Sequence, residues 1–269
     1  MTADNSLVNK WALILGASSG FGEAISLEFA EAGMHIFGIH LDRKSTMENV
    51  ERIIGQIKDK GRKAVFFNIN ASDPEKRRET LDQIEETLKE NDNPSGIKVL
   101  VHSLAFGTLK PYIASSQKEM VTDTNMNMTL DVMAHSLVYW TQELVSRKLM
   151  VEGGRIFAMT SAGGHRVWKT YGPVSAAKAA LESHIRQLAV ELAPLGITAN
   201  AIQAGVTETP ALSKIPGSDI IVENALRVNP SGRLTRPKDV AEAIVSLSAR
   251  GTHWITGNVI KVDGGEDLI

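Results

Sequence analysis

Residues 13–30, "LILGASSGFGEAISLEFA", decide the fold. The stretch opens as a short apolar run and closes as an amphipathic helical pattern. Between the two, Gly16, Gly20 and Gly22 form G-x-x-x-G-x-G. The first glycine permits a tight turn off a strand. The later two remove side chains, so that backbone can approach a pyrophosphate and a helix can lie close to a sheet. Unpaired N–H groups at the start of that helix, together with its macrodipole, favour an anion. Three glycines in a loop recur by chance. At the first strand-to-helix turn of an α/β chain they point to dinucleotide binding, with Gly16, Ser18, Ser19, Gly20, Phe21 and Gly22 as the phosphate loop.

The rest of the chain repeats this alternation. "WALILG" (11–16), "HIFGIH" (35–40), "AVFFNI" (64–69), "KVLVHSL" (98–104), "RIFAMTS" (155–161), "TANAIQA" (198–204) and "NVIKV" (258–262) read as buried strands. Helical patterns fall at about 20–32, 45–60, 73–90, 117–150, 173–194 and 237–249. Near-continuous apolar strands separated by helices predict right-handed crossovers and a parallel sheet of about seven strands, covered on both faces. The 269 residues fit one α/β, Rossmann-like doubly wound domain, and a hydrophobic fraction of 43% supplies its core. One connection breaks the rhythm. Residues 206–236 carry prolines at 210, 216 and 230 but also Leu212, Ile215, Ile220, Ile221 and Leu226, which favours a lid over an apolar substrate against plain disorder.

Composition excludes several functions. A net charge of −2 with both signs interspersed gives no broad attraction to nucleic acid, and Lys76-Arg77-Arg78 reads as one solvated helix face. There is no cysteine, hence no disulfide framework, thiolate nucleophile or Cys-ligated zinc, and the seven histidines form no metal-binding motif. The amino-terminal "MTADNSLVNK" lacks a signal-peptide core, and no apolar run approaches the roughly 20 residues that span a bilayer. A cytoplasmic protein is the expectation. At the end of the second strand, His40 stands where an acid favouring NAD would align. Arg43 and Lys44 follow and suit a 2′-phosphate, whereas Asp42 opposes that choice. NADPH is the expected cofactor and NADH the alternative.

"YGPVSAAK" (171–178) then raises a chemical question. Ketone-reducing enzymes place a tyrosine four residues before a lysine, and here that position is Val174. Tyr171 instead lies seven residues before Lys178. The glycine loop, Asn127, this pair and the terminal "VDGG" (262–265) resemble the short-chain dehydrogenase/reductase family over essentially the whole chain. Within it, the seven-residue spacing and "VHSLAFG" (101–107) resemble the enoyl-acyl carrier protein reductases. "ITANAIQAG", "NPSGRLTRPKDV" and "VIKVDGG" resemble their type III, NADPH-using branch. Leu15 departs from the family's threonine before the first glycine. Ala162 stands where many enoyl reductases carry a second tyrosine.

The resemblance implies reduction of an enoyl thioester, carried on acyl carrier protein or coenzyme A, by a homodimer or homotetramer paired through its long helices. Ordinary sheet packing explains those helices equally well. Reducing a ketone puts hydride on the carbon bonded to oxygen. Reducing an enoyl thioester puts it on Cβ while charge collects on a more distant oxygen, so a tyrosine shifted along the chain suits the second reaction. Tyr171 would donate to that oxygen, its pKa lowered by Lys178, and Lys178 would hold the nicotinamide ribose. Ser161 would touch substrate or cofactor, or serve a turn. Asn127 would support a water chain behind Lys178, or cap a helix break. Asn70, Ala71, Ala105, Gly205 and Thr207 are expected at the cofactor, with Ser103 and Leu104 bordering the ribose and nicotinamide. Val206 would set its backbone N–H and C=O against the carboxamide, and Thr209 would reach the pyrophosphate. Lys110, Arg166, Lys169 and Lys214 would meet an acidic carrier protein or stand as solvated charges. The competing functions are a carbonyl (3-oxoacyl thioester) reductase and a non-catalytic NADP-binding sensor.

Overall fold

Five consecutive apolar residues, Trp11–Leu15, form β1, and all five are fully enclosed. Because strand side chains alternate, Trp11, Leu13 and Leu15 enter one core while Ala12 and Ile14 enter another. The computed structural model describes residues 5–90 and 96–269; part of the polar amino-terminal stretch lies outside them.

β1 pairs in parallel with β2 (His35–His40) on one side and with β4 (Ile97–His102) on the other. β3 (Ala64–Asn68), β5 (Met150–Ser161), β6 (Thr198–Ala204) and β7 (Val259–Val262) extend the sheet to the order β3-β2-β1-β4-β5-β6-β7. The strand order reverses between β1 and β4, the place where such sheets form a crevice at the carboxyl ends of the strands.

Helices α1 (Gly20–Glu31) and α2 (Met47–Asp59) cover one face together with α8 (Pro237–Leu247), through Ile25, Phe29, Ile53, Val240 and Ile244. The opposite face is covered by α3 (Pro74–Lys89), α5 (Ser136–Ser146) and α6 (Gly172–Leu192), through Leu81, Ile84, Leu137, Leu181 and Ile185. The single seven-stranded domain expected from the sequence is what the chain forms.

Two elements differ from the sequence reading. The helix expected over 117–150 begins only at α4 (Asp123–Leu130), because Thr122 and Asn125 form a reciprocal capping box there. A π-helical turn, Asp131–His135, then separates α4 from α5, and strand β5 already begins at Met150. Within 206–236, residues Ser218–Val228 form α7, a helix hidden in the sequence by the flanking Pro216-Gly217 and Asn229-Pro230. Among the described residues no helix is long and apolar enough to cross a membrane.

Two glycines of the first turn are fixed by space, and the first by conformation as well. Gly16 has φ +91°, and a Cβ there would fall 2.5 Å from the Ser103 carbonyl oxygen. A Cβ on Gly22 would fall 1.9 Å from the Gly16 carbonyl oxygen. Gly22→Ala should therefore push α1 off the β1 turn. We expect a loss of about 1–3 kcal/mol in urea unfolding and a larger proportional loss of dinucleotide affinity by titration; unchanged affinity would refute this account of the turn.

Candidate active site

The phosphate loop has the form its sequence predicts. Ser19 precedes α1 without a side-chain cap, so no side chain competes for the first amides of the helix. Ser18 lends its carbonyl to Asn49 Nδ2 at 2.7 Å, which docks α2 on the loop, and Phe21 packs into the adjoining core. Thr209 lies directly over the loop: a Cβ on Gly20 would meet its side chain at 3.5 Å. Strand-end residues Ser103 and Leu104 close over Gly16, Ala105 is exposed beside them, and Ser103 N–H is donated to the Leu15 carbonyl at 2.8 Å. These residues fit a dinucleotide pyrophosphate.

The adenosine end corrects one expectation. His40 is buried, and its Nδ1 lies 3.0 Å from Asp42 Oδ2, so it orients the carboxylate rather than facing a ligand. Burial holds the His40 imidazole below its ordinary pKa against the pull of Asp42, leaving it neutral. Burial raises the Asp42 carboxyl, but the Ser18 and Thr46 hydroxyls and His40 together bring it below the ordinary value. Asp42 is also locked through its backbone, donating N–H to Asn68 Oδ1 at 2.9 Å and accepting from Asn68 Nδ2 at 3.0 Å. An ionised carboxylate therefore stands beside Ser18 of the phosphate loop, while Arg43 and Lys44 are exposed. Asn70 caps its own turn through Ser72, and the carbonyl of buried Ala71 accepts Trp140 Nε1–H at 2.8 Å.

Tyr171 is the residue before the first turn of α6, with near-helical φ −85° and ψ −2°, and its carbonyl accepts Ser175 N–H at 2.8 Å. Helical geometry thus runs from 171 onward. At about 3.6 residues per turn, seven positions bring Lys178 beneath Tyr171 two turns along. Val174 is 5% exposed and sealed against the Gly107 backbone, where a Cβ would stand 2.8 Å from Val174 Cγ2. The Tyr171 ring rests on Gly163, whose Cβ would lie 2.4 Å from Cε1. Burial pushes the Tyr171 phenol above its ordinary pKa, and neighbouring Ser161 only partly offsets it. The lowering expected from Lys178 is absent in the chain itself. Ser161 Oγ completes no hydrogen bond of good geometry, leaving a buried hydroxyl beside the phenol without a partner among the described residues.

Lys178 is 6% exposed, and its ammonium donates to the Met159 carbonyl at 2.6 Å, joining α6 to β5. Burial lowers its pKa to about 8 even though Glu182 raises it. Glu182, one turn on, accepts Thr160 Oγ1–H at 2.6 Å. His102 is fully buried, its Nε2 lies 2.8 Å from Ser136 Oγ, and burial followed by the Lys178 charge lowers it to about 3, so this imidazole is neutral. Asn127 is not brought into this cluster. Its side chain is exposed on α4 and its carbonyl accepts Asp131 N–H just ahead of the π-helical turn.

After β6 the structure reveals partners absent from the sequence reading. Val206 N–H, expected at a carboxamide, is donated to the Glu266 carboxylate at 3.1 and 3.2 Å. Thr207 is buried and donates its hydroxyl to the Gly205 carbonyl at 3.0 Å. Asp267 pairs with Arg166 at 2.7 Å, Lys261 at 2.7 Å and His165 at 3.2 Å, and accepts from Gln203 at 3.0 Å. Burial opposes its ionisation, but those partners bring its pKa down to about 2. Sequence motifs end at "VDGG" and gave no signal for these two acids. An open cleft of about 540 Å³ runs between Thr209, Leu212 and Val222 at the base of α7.

The sequence model described as enoyl-(acyl carrier protein) reductase matches residues 16–266. The chain belongs to that family. The enoyl-[acyl-carrier-protein] reductase [NADH] of Aquifex aeolicus is 33% identical over 71% of this chain and 70% of its own length. An NADPH-dependent aldehyde reductase-like protein of Arabidopsis thaliana, described as chloroplastic, is 29% identical over 96% of this chain and 94% of its own. The crystal structure of an Aquifex aeolicus enoyl reductase superposes with a TM-score of 0.83 at 27% identity, covering 98% of each chain. This member is accordingly an oxidoreductase of the short-chain dehydrogenase/reductase fold.

The buried lysine makes stability depend on pH. Below pH about 8 Lys178 is charged in both folded and unfolded chains, and the folded one bears the full cost of desolvation. Between about 8 and the ordinary lysine value of 10.5 the folded chain gives up its proton first, so stability rises with pH. Lys178→Met should be more stable than the parent at pH 7 by on the order of 1–3 kcal/mol, with the gap closing above pH about 8. Denaturant titrations across that range test it; a gap independent of pH would overturn the assignment.

Proposed function

We propose that the chain reduces the C=C bond of an enoyl thioester with NADH. The observation carrying this reading is the sealing of Val174 into the core beneath Gly107, which leaves Tyr171 as the phenol that the entry of α6 itself supplies, with the ring of Tyr112, from the loop after β4, packed beside it on Gly172. A reduced nicotinamide supplies the hydride. Tyr171, kept neutral by burial, donates a hydrogen bond to the thioester oxygen, where enolate charge accumulates as Cβ takes the hydride, and water supplies the proton that Cα then takes. Ser161, whose hydroxyl lacks a partner, is a second donor beside it. Lys178 holds the cofactor ribose with the donors it does not spend on Met159.

Support for NADH over the NADPH expected from sequence comes from Asp42, whose ionised carboxylate accepts ribose hydroxyls and repels a 2′-phosphate. The Aquifex aeolicus relative is named for NADH. We further assign the 206–236 connection as the cover of the acyl group, and the thioester to acyl carrier protein or coenzyme A. A homodimer or homotetramer suits the surface, where Val190 and Trp254 remain 72% and 89% exposed. Carbonyl reduction is the second reading, favoured by Ser161 lying beside Tyr171 and by the Arabidopsis relative named as an aldehyde reductase.

The deciding experiment follows oxidation of NADH and NADPH with crotonyl and longer enoyl thioesters and, separately, acetoacetyl thioester. We expect turnover of the enoyl substrates, reduced by about 10²–10³ in Tyr171→Phe. Turnover of the ketone alone would replace this reading with the second. In the same assay Asp42→Ala should shift the NADH:NADPH ratio of kcat/KM toward NADPH by about tenfold or more, by removing like-charge repulsion. An unchanged ratio would remove Asp42 from cofactor selection.

A further inference from the structure

Between Ser161 and Tyr171 the loop at 162–170 is held at two points. Its first half is tied to the carboxyl-terminal turn by the Arg166–Asp267 and His165–Asp267 pairs. Its second half is tied to the 206–236 connection. Trp168 Nε1–H is donated to the Pro216 carbonyl at 3.2 Å, and the indole lies over Gly217, whose Cβ would stand 3.5 Å from Cζ2. Gly217, at φ +79°, is the residue from which α7 departs. The same tryptophan accepts Tyr171 N–H on its own carbonyl at 3.1 Å. One residue thus grips the cover with its side chain and the tyrosine with its backbone.

Thr170, between Trp168 and Tyr171, reports the load on this grip. Its φ is +67°, in the left-handed region that a β-branched residue adopts only under constraint. Its Oγ1 is buried without a partner among the described residues, so no bond of its own side chain offsets that cost. Thr170 lies inside the turn closed by the Tyr171 N–H to Trp168 carbonyl bond, whose ends are held by α6 at Tyr171 and by the 206–236 connection at Trp168. Neither Trp168 nor Thr170 belongs to the buried cores, so their role is local.

We propose that Trp168 is a positioning residue that couples the seating of the 206–236 connection to the placement of the Tyr171 phenol. The proposal rests on Tyr171 being the donor, as argued above. When α7 is seated, the indole bond holds Trp168, Trp168 holds Thr170 in its left-handed conformation, and the phenol faces Ser161. When the connection lifts, Thr170 relaxes and the phenol withdraws. A thioester that seats the cover thereby completes its own donor set, whereas water entering an open cleft meets an incomplete one.

The test uses Trp168→Ala, Trp168→Phe, which keeps the ring and loses the donor, and the double variant Trp168→Ala/Thr170→Gly, which removes the cost of the left-handed conformation. Trypsin cleavage after exposed Lys214 reads the cover, and tyrosinate absorbance on alkaline titration reads Tyr171, one of three tyrosines. We expect Trp168→Ala to speed cleavage and lower kcat by about tenfold each, and to return the late-ionising tyrosine to the ordinary range. Trp168→Phe should fall between it and the parent, with NADH affinity unchanged throughout. The double variant should recover late ionisation and most of the lost kcat while cleavage stays fast. Unchanged cleavage in Trp168→Ala, or no recovery in the double variant, would overturn the coupling. Inactivity of the parent toward every enoyl thioester would instead sink the functional reading, and cleavage with titration would still decide the role of Trp168.

Discussion

A buried ammonium must find an acceptor, and the site is arranged around how Lys178 finds one. Placing a charge in the interior costs several kcal/mol unless hydrogen bonds replace water. The carbonyl of Met159 is that replacement, at 2.6 Å. Since Met159 lies in β5 and Lys178 in α6, the bond fixes the height of the helix on the sheet, and Thr160–Glu182 repeats the tie one turn along. The loop at 162–170 must then bridge two ends already set. Close approach of Gly163 to the Tyr171 ring and of Gly164 to Glu182 follows from that: a side chain at 163 has no room, and one at 164 would meet the Glu182 carboxylate at 3.2 Å.

The crevice is assembled from distant parts of the chain. Gly16 and Ser103 bring the turns after β1 and β4 into contact, and Thr209 closes over Gly20 from the other side of the sheet. Glu266 and Asp267 then reach back from the last turn to Val206, Gln203 and the 162–170 loop. Asp267 gathers two cations, Arg166 and Lys261, and the His165 imidazole on one carboxylate with 6% of its side chain exposed.

What was legible in the sequence was what depends on period and on glycine. The seven strands and the phosphate loop could be read because burial of both sheet faces leaves nearly unbroken apolar runs, and because only glycine fits at Gly16 and Gly22. The Tyr171–Lys178 pair was legible from spacing alone. The break between α4 and α5 was not, since a π-helical turn leaves the apolar pattern almost intact. Nor was the role of His40: sequence position places it at the ribose, but only the fold shows its ring turned inward onto Asp42. Glu266 and Asp267 look like a polar terminus until β7 and the preceding turn carry them under β6. Long-range pairs of this kind have no local signature.

The packing of Val174 bears on how such catalysts diverge. Restoring a phenol at position 174 would require a side chain much larger than valine where Gly107, Met133 and Thr129 already meet. Overfilling a close-packed core is destabilising, so the exchange cannot proceed through that single replacement without loss of stability. Moving between the two tyrosine placements demands concerted change in the strand-end loop after β4, in α4 and at the entry of α6. The two tyrosine placements are therefore separated by a valley in sequence space, and the packing around Val174 holds this chain to the one at 171.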